Sequence, residues 1–166
     1  MSESIFPNEA PKYWARSLPV VPIEPGTRRP PLKGWEGNLA GLPNEQKRAV
    51  WLSQYANYGI GLLLGIPFTS GEVIDALDVD DDRLRKLVRY VLDLNRPEGS
   101  PAVAAKRGKK GATPFVRGAK SLKSTVIKGA GGLGNVDFLA GGRLTVMPPS
   151  IHPDTGQPYE VIGQSL

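Results

Sequence analysis

Apolar positions along the chain change their period several times, and each change marks an expected element. Val20 to Ile23 is a β-branched run that stops at the turn sequence Glu24-Pro25-Gly26 and reads as a short strand. Ahead of it, Tyr13 to Leu18 reads as the end of a short helix, and Met1 to Pro11, polar and without an apolar centre, as a flexible lead-in. Asn44 is placed to cap a helix from Glu45 to about Tyr55, with Ala49, Val50 and Leu52 as its inward stripe. Tyr58 to Gly65 and Val73 to Asp80 are short and apolar enough to be strands. The strongest helical pattern follows, with Asp81 or Asp82 as cap and Leu84, Leu87, Val88, Val91 and Leu92 at helical spacing. Its other face, Arg83, Arg85, Lys86 and Arg89, is the solvated side of an amphipathic helix. From Gly99 to Gly134 the chain turns basic and glycine-rich, with strands expected at about Pro114 to Arg117 and Ser124 to Ile127. Val136 to Leu139 and Leu144 to Met147 are expected to form a hairpin across Ala140-Gly141-Gly142, and Tyr159 to Ile162 a last strand.

Composition narrows this to one mixed α/β (α+β) domain over residues 1–166: 40% hydrophobic residues suffice for one core, and 20 glycines with 16 prolines imply long loops. The chain has no cysteine, which excludes disulfides, a thiol nucleophile and a cysteine zinc site. His152 is its only histidine, so neither a histidine-based metal site nor a Ser-His-Asp hydrolase triad is expected. A net charge of +5 favours a polyanionic partner. No apolar run approaches a membrane span, so a cytoplasmic protein without a membrane partner is expected. Gly129 to Gly134 superficially suggests a dinucleotide fingerprint, but a strand follows it where that motif needs a helix. No phosphate-binding loop of the helicase type is present.

The candidate chemistry is acidic. On the strand ending at Asp80, a period of two puts Asp78 and Asp80 on the face that carries Ile74 and Ala76, while Asp75 points the other way. Two carboxylates about 7 Å apart on one strand face repel each other unless a proton or a cation compensates, and hard oxygens suit Mg²⁺ or Mn²⁺. The alternative is that Asp80, Asp81 and Asp82 are a solvated turn capping the next helix. Asp137 lies between Val136 and Phe138, where an unpaired charge is costly to bury; it calls for a partner or for a place on a wet edge. Arg28, Arg29 and Lys33 beside Trp35 combine charge with an aromatic face, which suits a single-stranded template, although Trp35 can equally be core.

Taken in order, several stretches resemble the bifunctional primase–polymerase domain of phage, plasmid and mobile-element replication proteins, in the archaeo-eukaryotic primase superfamily. They are Val20 to Ile23 with Pro25 to Pro30 and Trp35, Trp51 with Asn57 to Gly61, Asp78-Val79-Asp80, and Val136-Asp137 followed by Pro148 to Gly156. The resemblance implies a mixed sheet with an RRM-like catalytic core after a small N-terminal α/β portion. It implies Asp78, Asp80 and Asp137 as catalytic metal ligands for Mg²⁺ or Mn²⁺, in template-dependent addition of nucleotides during replication. The nucleotide would be held by Lys106, Arg107, Lys109, Lys110, Thr113, Arg117, Ser150 and His152. Partners would be nucleoside triphosphates, single-stranded template and primer, with a helicase domain or protein as a further candidate and a monomer in isolation. The chain departs from the family where a Ser-x-His pair is expected, since Gly111 and Thr113 stand there. Thr113 cannot supply an imidazolium. A single-stranded DNA-binding module without catalysis, or a metal-dependent nuclease on the same carboxylates, are the competing readings.

Overall fold

The computed structural model describes residues 4–35, 41–163 and 166. Its first element is helix α1 (Ile5–Ala15), where Phe6, Ala10 and Trp14 recur every four residues and are buried. This corrects the flexible lead-in expected for residues 1–11. Residues 1–3 lie outside the described residues, but from Ile5 the segment is helix. Two prolines hide it in the sequence: Pro7 sits in the first turn, where its missing N–H has no helical partner to lose, and Pro11 gives up one backbone bond. Packing compensates, since the Phe6 and Trp14 rings meet edge to face at 5.9 Å and Trp14 Nε1 donates to the Val20 carbonyl at 3.1 Å.

Strand β1 (Val20–Ile23) follows, then helix α2 (Glu45–Gln54) and strand β2 (Gly59–Leu63). Asn44 caps α2 as its sequence requires, accepting from the Lys47 amide at 2.9 Å. The inward residue differs from expectation: Trp51 is buried, while Ala49 and Val50 are exposed. Next come β3 (Val73–Val79), helix α3 (Asp82–Leu94), β4 (Ala105–Arg107), β5 (Thr113–Gly118), β6 (Thr125–Ile127), β7 (Val136–Leu139), β8 (Leu144–Met147) and β9 (Glu160–Ile162). Of the expected stripe on α3, Leu84, Val88 and Leu92 are half-buried, whereas Leu87 and Val91 face solvent. None of the three helices among the described residues is long and apolar enough to cross a membrane.

The strands form two sheets, ordered β1-β2-β8 and β6-β7-β3-β5-β4-β9. The α+β architecture is the expected one, but every ladder is antiparallel where a mixed sheet was expected. The smaller sheet is also not purely N-terminal. β7 and β8 are not a hairpin: β7 pairs with β3 and β6, β8 pairs with β2, and residues 140–143 carry the chain from one sheet to the other. A glycine makes this crossing close, because a Cβ at Gly65 would stand 2.5 Å from the Gly141 Cα.

One apolar core joins the sheets. Val20, Val21, Ile60, Leu62 and Met147 of the smaller sheet pack in one cluster with Ile74, Ala76 and Phe115 of the larger one, closed by Phe6, Ala10 and Trp14 of α1. Phe6→Ala should therefore cost about 3–5 kcal/mol in urea unfolding, the range for a fully buried phenylalanine; a loss under about 0.5 kcal/mol would show that α1 is dispensable to the core.

Candidate active site

The period of two along β3 turns Ile74 and Ala76 into the core and continues the same face outward through Asp78. Partner strands extend this row sideways. Asp78 lies opposite Asp137 of β7, and Asp137 opposite Val126 of β6. On the other flank Ala76 pairs with Phe115 and Val79 with Ala112, so Asp78 lies opposite Thr113 of β5, and Thr113 pairs with Lys106 of β4. Val79 and Ala112 exchange both backbone hydrogen bonds, at 3.0 and 3.2 Å. Asp78 and Thr113 therefore occupy a non-hydrogen-bonded pair, the closer type, with Cα atoms about 4.5 Å apart. The result is a row Lys106, Thr113, Asp78, Asp137 across four strands.

Each member has a distinct environment. Thr113 is buried and its Oγ1 donates to Asp78 Oδ1 at 2.7 Å. Asp137 Oδ1 is sealed from solvent with no hydrogen-bond partner. Burial, then the charges of Asp80 and Asp78, raise the Asp137 pKa above the usual carboxylate value. Asp80 is exposed just past the end of β3, and its carboxylate has no hydrogen bond or ion pair among the described residues. Lys106 is buried, with Nζ 4.5 Å from the centre of the Tyr159 ring, and burial pushes its pKa down to about 8 against the pull of Asp78.

Asp78, Asp80, Thr113 and Lys106 border a cleft of about 350 Å³ between the two sheets, whereas Asp137, across the ladder from Asp78, is not among its lining residues. Asp78 and Asp80 stand in its wall with Thr113, while Lys106, Lys109, Lys110 and Arg28 supply positive charge. Arg28 reaches the cleft from the loop after β1 by pairing with Asp154 at 3.2 Å and approaching His152 Nε2 at 3.4 Å. Desolvation, followed by the charge of Arg28, lowers the His152 pKa, so the ring is neutral at pH 7. Its Nδ1 accepts from the Asp154 amide at 3.1 Å, and the ring lies against Tyr159 with centres 4.9 Å apart. The hairpin carrying Lys109 and Lys110 bends over the end of β3. Gly111, at φ +63°, makes this approach possible, because a Cβ there would lie 1.7 Å from the Val79 carbonyl oxygen.

Several expected residues stand elsewhere. Ser150 is buried against β2, where its Oγ accepts from the Ile60 amide at 2.7 Å, so it fixes the loop that carries His152 without lining the cleft. Arg107 turns to Asp82 at 3.3 Å, and Arg117 lies over the Phe68 ring at the far end of β5. Thr113 reaches the cleft, but its one proton points at Asp78. Arg29 and Lys33 are exposed, whereas Trp35 is half-buried against the main core. The capping alternative holds for Asp81 alone, while Asp82 opens the helix and ties the basic hairpin to it. Asp81 caps α3, and hydrogen bonds from Arg83 and then Gly134 hold its carboxyl well below the usual range; Asp82 accepts from the Gly111 amide at 3.2 Å. Sequence reasoning missed Tyr159, Thr145 and Asp154 as lining residues, and placed Arg28 with the template. Only the antiparallel partners of these segments show where they face.

Asp78 and Asp137 face each other across the ladder, and the charge of Asp80 also acts on Asp137. Among the described residues no three side chains stand close enough to enclose an ion by themselves. Replacing Asp137 by Asn should raise the melting temperature in metal-free buffer at pH 7. The sign follows from the raised pKa: the folded protein binds this proton more tightly than the unfolded chain, so stability falls as pH rises through that range. The advantage of Asn should shrink toward pH 4, as melting curves across pH will show.

The family model described as "Bifunctional DNA primase/polymerase, N-terminal" matches residues 10–165 of the chain. No curated protein matches it.

Proposed function

The chain belongs to the bifunctional DNA primase/polymerase N-terminal family, and from that membership and the two-signed cleft we propose that it adds nucleotides to a primer opposite a single-stranded template. The observation that carries this reading is the strand row itself, in which Asp78 faces Asp137 with an orphaned, sealed oxygen while Lys106 stands two strands away. An acidic end beside a basic end is the distribution that a nucleoside triphosphate with its divalent ion requires.

Mg²⁺ or Mn²⁺ fits the donor set. Mg²⁺ commonly takes one or two carboxylates and fills its shell with water and substrate phosphate, so a closed three-residue cage is not needed. Asp78 and Asp137 would hold the ion, with Asp80 beside them, and Asp137 Oδ1 would gain the partner it lacks. When bound, the ion supplies the charge that activates the attacking hydroxyl and offsets the leaving pyrophosphate.

The remaining steps fall to the chain's own side chains. Lys106 places one cation at the dry end of the cleft for the triphosphate, and Arg28 offers a fork already oriented by Asp154. Lys109 and Lys110 extend this grip from the glycine-bent hairpin. Neutral His152 and Tyr159 form a ring wall against which the nucleotide can lie. Arg29 and Lys33, outside the cleft, suit the template backbone.

A non-catalytic single-strand-binding module is the second reading, favoured by one observation: the Thr113 hydroxyl is committed to Asp78 rather than open to a nucleotide. Primer extension separates the two. With Mg²⁺ or Mn²⁺, wild-type protein should lengthen a labelled primer, and Asp78→Ala and Asp137→Ala should fall to background. Lys106→Met should raise the KM for nucleotide about tenfold or more, as expected for losing a hydrogen bond to a charged group. DNA binding that is indifferent to EDTA, with no extension by the wild type, would establish the binding module instead.

A further inference from the structure

Resting on the nucleotidyl-transfer reading, one detail of the row gives Thr113 a role of its own. A threonine hydroxyl carries a single proton. Here that proton goes to Asp78 Oδ1, because a carboxylate accepts, and the 2.7 Å separation leaves no room for a second acceptor between them. Thr113 is buried, and its backbone is fixed from three directions: by Ala112 bridging to Val79, by Lys106 across the β4 ladder, and by Phe115 anchored in the core. A β-branched side chain on a backbone so constrained has little freedom at χ1. Asp78, for its part, lies between this donor and the like charge of Asp137. Repulsion alone would swing its carboxylate away from β7.

We propose that Thr113 is a positioning residue for Asp78: its hydroxyl anchors Oδ1 so that Oδ2 stays available beside Asp137 for a divalent cation, while Lys106, on the neighbouring strand, supplies the cationic grip on the triphosphate. The two tasks are thus divided between adjacent positions of one cross-strand pair. Oδ2 of Asp78 makes no hydrogen bond among the described residues. Lys106 makes no ion pair within 4.0 Å among them, so its ammonium is held in the cleft by packing and by the Tyr159 ring, open to an anionic ligand.

The division makes opposite demands on two variants. Mn²⁺ binding, read from the electron paramagnetic resonance of the free ion without nucleotide, should weaken about tenfold or more in Thr113→Val, the cost typical of removing a partner that orients a ligand. Thr113→Ser, which keeps the hydroxyl, should restore it, and Thr113→Ala serves in place of Val should the latter fail to fold. Binding of a fluorescent nucleoside triphosphate in EDTA should be unchanged in Thr113→Val and weakened in Lys106→Met, whose Mn²⁺ affinity should not fall below the wild type, because the variant removes a cation coupled to Asp78. Wild-type Mn²⁺ affinity in Thr113→Val, or loss of metal-free nucleotide binding in that variant, would overturn the positioning role and leave the wider reading standing. A wild type that binds neither Mn²⁺ nor nucleotide would overturn the wider reading itself.

Discussion

The pairing of β3 with its two neighbours is the constraint on which the rest of the molecule depends. A strand offers its backbone groups to one side at each residue, and antiparallel ladders alternate close and wide pairs. At Asp78 this alternation brings the side chain into close register with Thr113 on one flank and opposite Asp137 on the other. A slip of one residue in either ladder would send Asp78 to the opposite face, where Asp75 makes its bonds to Ser121 and Leu122. The row is protected against such a slip by the core, because the same face of β3 carries Ile74 and Ala76 into the shared cluster.

That arrangement stores electrostatic tension. Asp78, Asp80 and Asp137 lie near one another with a single hydroxyl donor serving them, and the consequence is a carboxyl on Asp137 that resists ionisation. Nearby carboxylates with structural tasks are handled differently: Asp81 is tied by Arg83 and Gly134, and Asp82 by Arg107 and Gly111. Against these, Asp78 has one hydroxyl donor, Asp80 none, and Asp137 a sealed oxygen without a partner among the described residues, while Asp78 and Asp80 line the cleft. Lys106 shows the same pattern with opposite sign, as a cation held out of water beside an aromatic ring. Groups of both signs thus face one cavity, Asp78 and Asp80 on one side and Lys106 on the other.

The loops around the cleft depend on small residues at positions of close approach. Gly111 lets the basic hairpin pass over the end of β3, and a Cβ at Gly108 would stand 2.7 Å from the His152 ring. Ser150, buried against β2, anchors the segment from which His152 and Tyr159 face inward. The residues at 111 and 113 thus each have a local logic. A glycine at 111 is required by the path of the chain, and the hydroxyl at 113 serves the carboxylate across the ladder rather than the open cleft.

Much was legible in the sequence by itself. Hydrophobic period places β1, β2, β3 and α3 closely, the Asn44 cap starts α2 where it should, and parity along β3 separates Asp78 and Asp80 from Asp75, because all of these are properties of a dozen residues or fewer. Tertiary structure alone decided the remainder. Helix α1 survives two prolines only because Phe6, Ala10 and Trp14 find a core, and β7 and β8 look like a hairpin locally but find better partners in different sheets. The same holds for the site: residue type nominated Lys106 and Arg28, which line the cleft, but also Asp137, which does not, and Arg107, Arg117 and Ser150, whose side chains go to Asp82, Phe68 and β2. Which charges share a cleft depends on ladder register between strands far apart in sequence, and no local pattern encodes that register.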